Sequence, residues 1–398
     1  MNISKSLSGL KTNPIFQLSL ASKELFHSNF LYWLSFYNKE QFKNLIEELA
    51  GNKIQWPENP YNWKVLREDN NMDLCIRKYD PKEKDENKAR KEYLFVLENK
   101  VKSIATKAQL TEYYEKVGKE NKEHKCSFCL LSLSEGFLER MNIEEDDKSR
   151  IWVIKSYSDL AKALKKFYLK DNASGGELYI IEQYHRFIEK LNEIAKEMIP
   201  SMESKWEDTA INEELKDLHI DDLRQKIIAN KLAVEIAEKL SAQGGTVRFN
   251  VSDKDLWKNQ EKDKKSIFLT AGFTNGRLLV HLSKFIADDK LIRLEIEGNR
   301  YKRGVIHQKP LEKQISKEDT AWIFNNSICK QIFVENKKNH VPDIDYPEKL
   351  KKSWAMKQDF GTYDMKQLMK YQSVIIPEDS TLSEVVDAVV EDFNKIFQ

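Results

Sequence analysis

Glycine is scarce in this chain, 13 of 398 residues, roughly half the usual share of about 7%. Neither a GxxxxGK[ST] loop nor a GxGxxG turn can be written anywhere in it, which argues against ATP or dinucleotide binding through those loops. Cysteine is scarcer still. Four residues make no disulfide framework, and a reducing, cytoplasmic setting is the expectation. Cys126 and Cys129 form a CxxC without a second pair at zinc-site spacing, and in a strand positions three apart face opposite sides. Buried free thiols are the better reading. No apolar run approaches the ~18 residues that span a bilayer, and Met1–Pro14 does not read as a signal peptide, so no membrane partner is expected. An excess of one charge is missing too: 65 Lys+Arg against 64 Asp+Glu leave +1. Bulk charge therefore does not supply nucleic-acid binding, although a net value averages over any local basic groove.

What is present points to two domains, since the length exceeds the usual size of one hydrophobic core. Apolar residues recur at helical spacing over Pro14–Leu49, predicting one or two helices broken near Tyr37–Asn38. The turn cluster Trp56–Pro60 follows, then three runs of strand character: Trp63–Arg67, Met72–Lys78 and Tyr93–Glu98. The polar tract Asp80–Lys91 reads as a long hairpin tip. Thr106–Val117 is helical, Cys126–Leu133 and Ile151–Ile154 are strand-like, and helices over about Ser158–Leu169 and Gly176–Met198 close this half. A meander joined through a crossover helix to further strands predicts an α/β mixed sheet with helices on it.

The expected domains are residues 1–200, a linker at 201–214, and an α+β domain at 215–398. In the latter, a long helix Ile220–Ala242 ends at Gly244–Gly245. Four strand-like runs follow at Val247–Val251, Ile267–Ala271, Arg277–Leu282 and Ile292–Glu297, the middle two joined by the hairpin signal Gly272–Gly276. A polar stretch with helical pieces leads to a last helix, Leu382–Phe397. Arg248, Arg277, Lys284, Arg293, Arg300, Lys302 and Arg303 accompany these strands. They could form a nucleic-acid surface, but the interspersed Asp and Glu favour an ordinary half-exposed sheet. The long helix could instead pair with another protomer, so a homodimer stays open.

The chemically informative stretch begins at Met72. Asp73 starts one strand, and Glu98 and Lys100 end the next as Glu-x-Lys around Asn99. Period two puts Glu98 and Lys100 on one face, and a hairpin would bring Asp73 to it. Two carboxylates with a backbone carbonyl suit Mg²⁺, and a neighbouring lysine can orient water or screen developing charge. Glu-x-Lys is common by chance in a chain with 32% charged residues. Here, however, it emerges from the continuous apolar run Leu94–Leu97, typical of a strand covered on both faces.

These residues carry a resemblance. Asp73 in MDLCIR, Glu98-Asn99-Lys100 in FVLENK, and Gln109 with Tyr113 in QLTEYY are similar in order and spacing to the PD-(D/E)xK nuclease superfamily, in the branch related to RecB-type nuclease domains. Met72 stands where the family has proline. The resemblance covers about Pro14–Met198 and implies a restriction-endonuclease-like fold and a Mg²⁺-dependent nuclease, with Mn²⁺ able to substitute. Asp73, Glu98 and the Asn99 carbonyl would bind metal, Lys100 would position the attacking water, and Gln109 would support the site. Glu24, in SKELFHSNFLYWL, would serve a second metal or its water shell.

Tyr113 would pack beside the scissile backbone, DNA being favoured over RNA by the likeness. Lys102 and Lys107 flank the site and could contact phosphates, although lysines in such places are more often plain surface. His27 shares a helical face with Glu24; it could assist a metal, but a packed or phosphate-contacting histidine is the favoured reading. Tyr114 points about 100° away from Tyr113 on a helix, so only one of them can face the site. By analogy, stand-alone nucleases of this type serve bacterial antiphage defence. The competing expectation is a binding module for nucleic acid or protein that retains the scaffold without catalysis.

Overall fold

The computed structural model describes residues 8–9, 13–19, 24–121, 125–133, 151–169, 175–205, 209–249, 256–257, 265–274, 277–287, 290–307 and 368–397. The chain forms two compact units. The first takes residues 1–199 with 213–227, and the second 200–212 with 228–398.

In the first unit the helices α1 (Pro14–Ser19), α2 (Glu24–Tyr37) and α3 (Lys39–Ala50) precede the sheet. The break expected near Tyr37–Asn38 is present, and Asn38 makes it. Its side chain accepts from Gln41 N at 3.0 Å, capping α3. Strands β1 (Trp63–Asp69), β2 (Met72–Tyr79) and β3 (Arg90–Lys100) form an antiparallel meander. Asn70 and Asn71 sit at φ 54° and 68°, a left-handed pair that asparagine tolerates and a tight hairpin needs. Between β2 and β3 the polar tract is more than a hairpin tip. Asp85 caps a one-turn helix, α4 (Glu86–Ala89), and β3 already starts at Arg90.

A crossover through α5 (Lys107–Glu120) then adds β4 (Ser127–Ser132) parallel to β3, and β5 (Trp152–Ser156) lies parallel to β4. The sheet order is β1-β2-β3-β4-β5. Parallel neighbours require such a crossover, which covers one sheet face with a helix. Accordingly Val96, Phe128 and Leu130 pack with Leu110, Tyr113 and Val117 of α5. The alternate residues of β3 face the opposite layer, where α6 (Tyr157–Phe167) and α7 (Gly176–Glu197) follow the sheet. Every residue of β3 from Tyr93 to Lys100 is buried, and each enclosed Val, Leu or Phe contributes about 1.5–3 kcal/mol. The arrangement is a mixed α/β sheet flanked by helices, consistent with a restriction-endonuclease-like fold.

Thr209–Asp217 forms a helix, α8, that begins within the stretch expected to be a linker and runs past its end, and α9 (Asp221–Ala242) follows it. The end of α9 is as expected: Gly244 takes φ 85° and donates to Ser241 O. The second unit has a six-stranded sheet in the order β11-β10-β9-β8-β7-β6. Its strands are β6 (Val247–Phe249), β7 (Ile267–Thr274), β8 (Arg277–Ala287), β9 (Lys290–Glu297), β10 (Arg300–His307) and β11 (Leu368–Ile375). All neighbours are antiparallel except β6 and β7.

The strands β10 and β11 were not expected, and the polar reading of this stretch is corrected for both. Two of the cations of β10, Lys302 and Arg303, are internal. Lys302 bonds Glu295 at 2.6 Å, and Arg303 and Tyr301 both bond Asp392 of the last helix, α10 (Leu382–Phe397). Together with Arg293, which donates to Ser283 Oγ at 3.1 Å, these cations are buried. They therefore belong to the sheet's own packing. Among the described residues no helix is long and apolar enough to cross a membrane.

Candidate active site

The register of β2 on β3 pairs Leu74 with Leu97 and Cys75 with Val96. Continued by one step beyond the last paired residues, that register sets Asp73 opposite Glu98. Facing residues of an antiparallel pair lie on one side of the sheet, with Cβ atoms about 4.5–5.5 Å apart. Two carboxylates thus converge where the sheet meets α5. Asp73 is half-buried, and its Oδ2 accepts from the backbone N–H of Asn99 at 2.7 Å. That bond ties the start of β2 to the end of β3 and fixes the Asp73 rotamer.

Glu98 and Lys100 share the same face, as period two requires. Lys100 Nζ lies 2.6 Å from Glu98 Oε1, with the lysine 8% and the glutamate 2% exposed. The same oxygen accepts from Gln109 Nε2 at 2.8 Å. Gln109 is placed by the start of α5, where the Thr106 side chain accepts from Gln109 N at 3.3 Å. Gln109 also donates to the Tyr113 hydroxyl at 3.0 Å, one turn along, and Tyr113 donates onward to Asn71 O at 2.8 Å. The chain of bonds from Glu98 therefore ends on the β1–β2 turn that precedes Asp73. Burial and the nearby Glu98 carboxylate hold the Tyr113 phenol above its ordinary pKa, so it remains a donor.

Tyr113 is 5% exposed and its hydroxyl is engaged, so it meets Gln109 and the turn rather than open solvent. Tyr114 packs against Phe128, so of the two tyrosines only Tyr113 faces the site. Lys102 donates to His219 O at 3.1 Å and reaches Asp222 at 3.4 Å. Lys107 is half-buried at the first position of α5. Glu24 opens α2, and its side chain lies outside the described residues.

On the opposite face of β3, the Asn99 side chain accepts from the Tyr157 hydroxyl. Tyr157 packs edge-on against His27, which stacks on Phe187 and lies 2.9 Å from the Tyr184 hydroxyl through Nδ1. His27 is fully buried, and burial pushes its pKa down to about 3. It is a packed, neutral histidine supporting the layer beneath Asn99. Cys126 and Cys129 are free thiols; Cys129 is buried, and burial pushes it up to about 12.

Sequence reasoning passed over Tyr157 and the Asn70–Asn71 turn as parts of this site. The first carries no local signal. The second has one, two consecutive asparagines between strand-like runs.

Among the described residues no group of three or more His, Cys, Asp or Glu side chains could hold a metal ion by itself. The donor set nevertheless fits a hard divalent cation that keeps waters of its own, for which one or two carboxylates suffice. No curated protein and no solved structure gives a significant match to this chain. Residues 13–186, which hold the five-stranded sheet with Asp73, Glu98, Lys100 and Gln109, match the family model of the PD-(D/E)XK nuclease superfamily.

Proposed function

We propose that this protein is a Mg²⁺-dependent nuclease of the RecB-like branch, hydrolysing phosphodiester bonds of DNA in preference to RNA. One observation carries the reading: Lys100 lies 2.6 Å from Glu98 at the end of β3, and Asp73 is tied to the same strand end by accepting from Asn99 N at 2.7 Å. A merely structural ion pair has no need of the second carboxylate. Asp73 and Glu98 would hold the ion, which when bound lowers the pKa of a coordinated water and offsets charge on the phosphate.

The chain's own residues do the rest. The Asn99 N–H and Gln109 fix the two carboxylates before substrate arrives, a preorganisation that costs nothing at the moment of reaction. The Lys100 ammonium, held over Glu98, orients the attacking water and screens the pentacovalent phosphate. Tyr113 keeps Gln109 aimed at Glu98. Lys107 would approach the phosphate backbone, with Lys102 beside it held by His219 O and Asp222, and Glu24 would serve a second ion or its waters. We extend this reading to a cytoplasmic role in antiphage defence, with homodimerisation open to the second unit; these rest on analogy with stand-alone nucleases.

The test is incubation with Mg²⁺ and a panel of linear, circular, single- and double-stranded DNA and RNA. The wild type should cleave DNA, and Glu98→Ala or Lys100→Ala should lose at least about 10²–10³-fold, the scale of removing an electrostatic stabiliser. Full activity in excess EDTA, or in Glu98→Ala, sinks the reading. So does failure to cleave any member of the panel.

A further inference from the structure

We propose that Lys226, outside the region matched by the family model, is a positioning residue of the Glu98–Lys100 site. This rests on the nuclease reading. Lys226 belongs to the part of α9 that lies in the first unit. It is fully buried, and its ammonium donates to Lys100 O at 3.2 Å and Val101 O at 3.3 Å. A buried ammonium is costly unless its donors are filled, so its position is set by where carbonyls converge. They converge on the exit of the catalytic strand.

The β3–β4 ladder ends at Lys100 paired with Ser132, and Leu133 N adds a last bond to Lys100 O at 3.0 Å. Beyond that point the strand no longer holds the backbone, and Lys226 takes over. A reciprocal tie runs the other way, from Lys102 Nζ to His219 O and Asp222. His219 is at φ 56°, in the turn that leads into α9. Two lysines, one from each segment, thus clamp residues 100–102 against residues 219–226. The side chain that must sit 2.6 Å from Glu98 leaves a backbone held on both sides of its Cα. A displacement of about 1 Å at such a group can cost on the order of 10²-fold in rate.

The experiment uses the full chain. Lys226→Met keeps length and removes the donors, and Lys226→Arg restores donors. Lys231→Met, on the same helix and paired with Glu235, is the control. Lys226→Met should lower kcat about 10–100-fold, with KM for DNA and the Mg²⁺ midpoint unchanged. Lys226→Arg should recover part of that loss, and Lys231→Met should match the wild type. Backbone amides of residues 101–103 should exchange hydrogen at least about 10-fold faster in Lys226→Met.

Wild-type kcat and wild-type exchange in Lys226→Met overturn the proposal, as does a loss that falls on KM alone. Should Lys226→Met fail to fold, Lys102→Met reads the same amides through the reciprocal tie, and unchanged exchange there overturns it. A wild type that cleaves nothing refutes the nuclease reading, whereas the exchange result separately decides whether Lys226 holds the strand exit.

Discussion

Replacing Asp73 by asparagine separates its two jobs. In the wild type its Oδ2 holds the buried Asn99 N–H at 2.7 Å, and the same carboxylate faces Glu98. Asparagine keeps an acceptor for the N–H but loses the charge. The change from a charge-assisted to a neutral hydrogen bond removes about 1 kcal/mol. Against this stands relief of repulsion between facing carboxylates. At about 5 Å and an effective dielectric near 20, that relief is at most about 3 kcal/mol. Without metal, Asp73→Asn should therefore be as stable as the wild type or more so.

With metal the order changes. An ion that binds only the folded state at ten times its Kd stabilises by about 1.4 kcal/mol. For a domain of roughly 150–250 residues this raises Tm by about 3–6 °C. The wild type should show that rise in Mg²⁺ relative to EDTA, and Asp73→Asn should lose most of it. Asp73→Ala removes the acceptor from the Asn99 N–H and should be destabilised by about 1–3 kcal/mol in EDTA as well. Thermal unfolding of the three proteins, each with EDTA, Mg²⁺ and Mn²⁺, is the assay. A wild type with no shift in either metal refutes the reasoning, and so does an Asp73→Asn protein with the full shift.

Other expectations follow from the surrounding contacts. Gln109→Ala removes a hydrogen bond to the charged Glu98, a loss of about 1.5–3 kcal/mol that should appear as a 10–100-fold lower kcat; single-turnover cleavage at saturating substrate checks it. Tyr157→Phe takes the hydroxyl donor from the fully buried Asn99 side chain and should cost about 1–3 kcal/mol in urea unfolding. His27, with its pKa pushed down to about 3 by burial, titrates near 6.5 when unfolded. The unfolded chain binds the extra proton, so this stability is fully present above pH 6.5 and is lost as pH falls towards 3. Between pH 8 and 5 the loss should be about 2 kcal/mol. His27→Gln should show a flatter profile, and an equal slope in both proteins would remove His27 as the cause.

Much of the site was legible because its parts are local. Glu98 and Lys100 share a face through the two-residue period of a strand, and Gln109 and Tyr113 share one through a helical turn. Asp73 reaches them through a hairpin whose strands are plain in the apolar pattern. Tyr157 and Lys226 were not legible, because they act on Asn99 and Lys100 across 58 and 126 residues of chain, and no periodicity spans such separations. The same limit hid β10. Its sequence RYKRGVIH reads as polar only while the partners Glu295 and Asp392 are unknown.

A cation count therefore says less about nucleic-acid binding than the positions of the cations do. Arg77, Lys226, Arg293, Lys302 and Arg303 are all buried away from the acidic pair, and each has a partner within the protein. Charges held this way cannot contact phosphates without breaking the fold. Near-neutral composition is then compatible with a nuclease whose grip on DNA comes from a few exposed lysines and a bound metal. In that arrangement the ion, rather than surplus basic charge, decides whether the acidic pair Asp73 and Glu98 attracts or repels a phosphate.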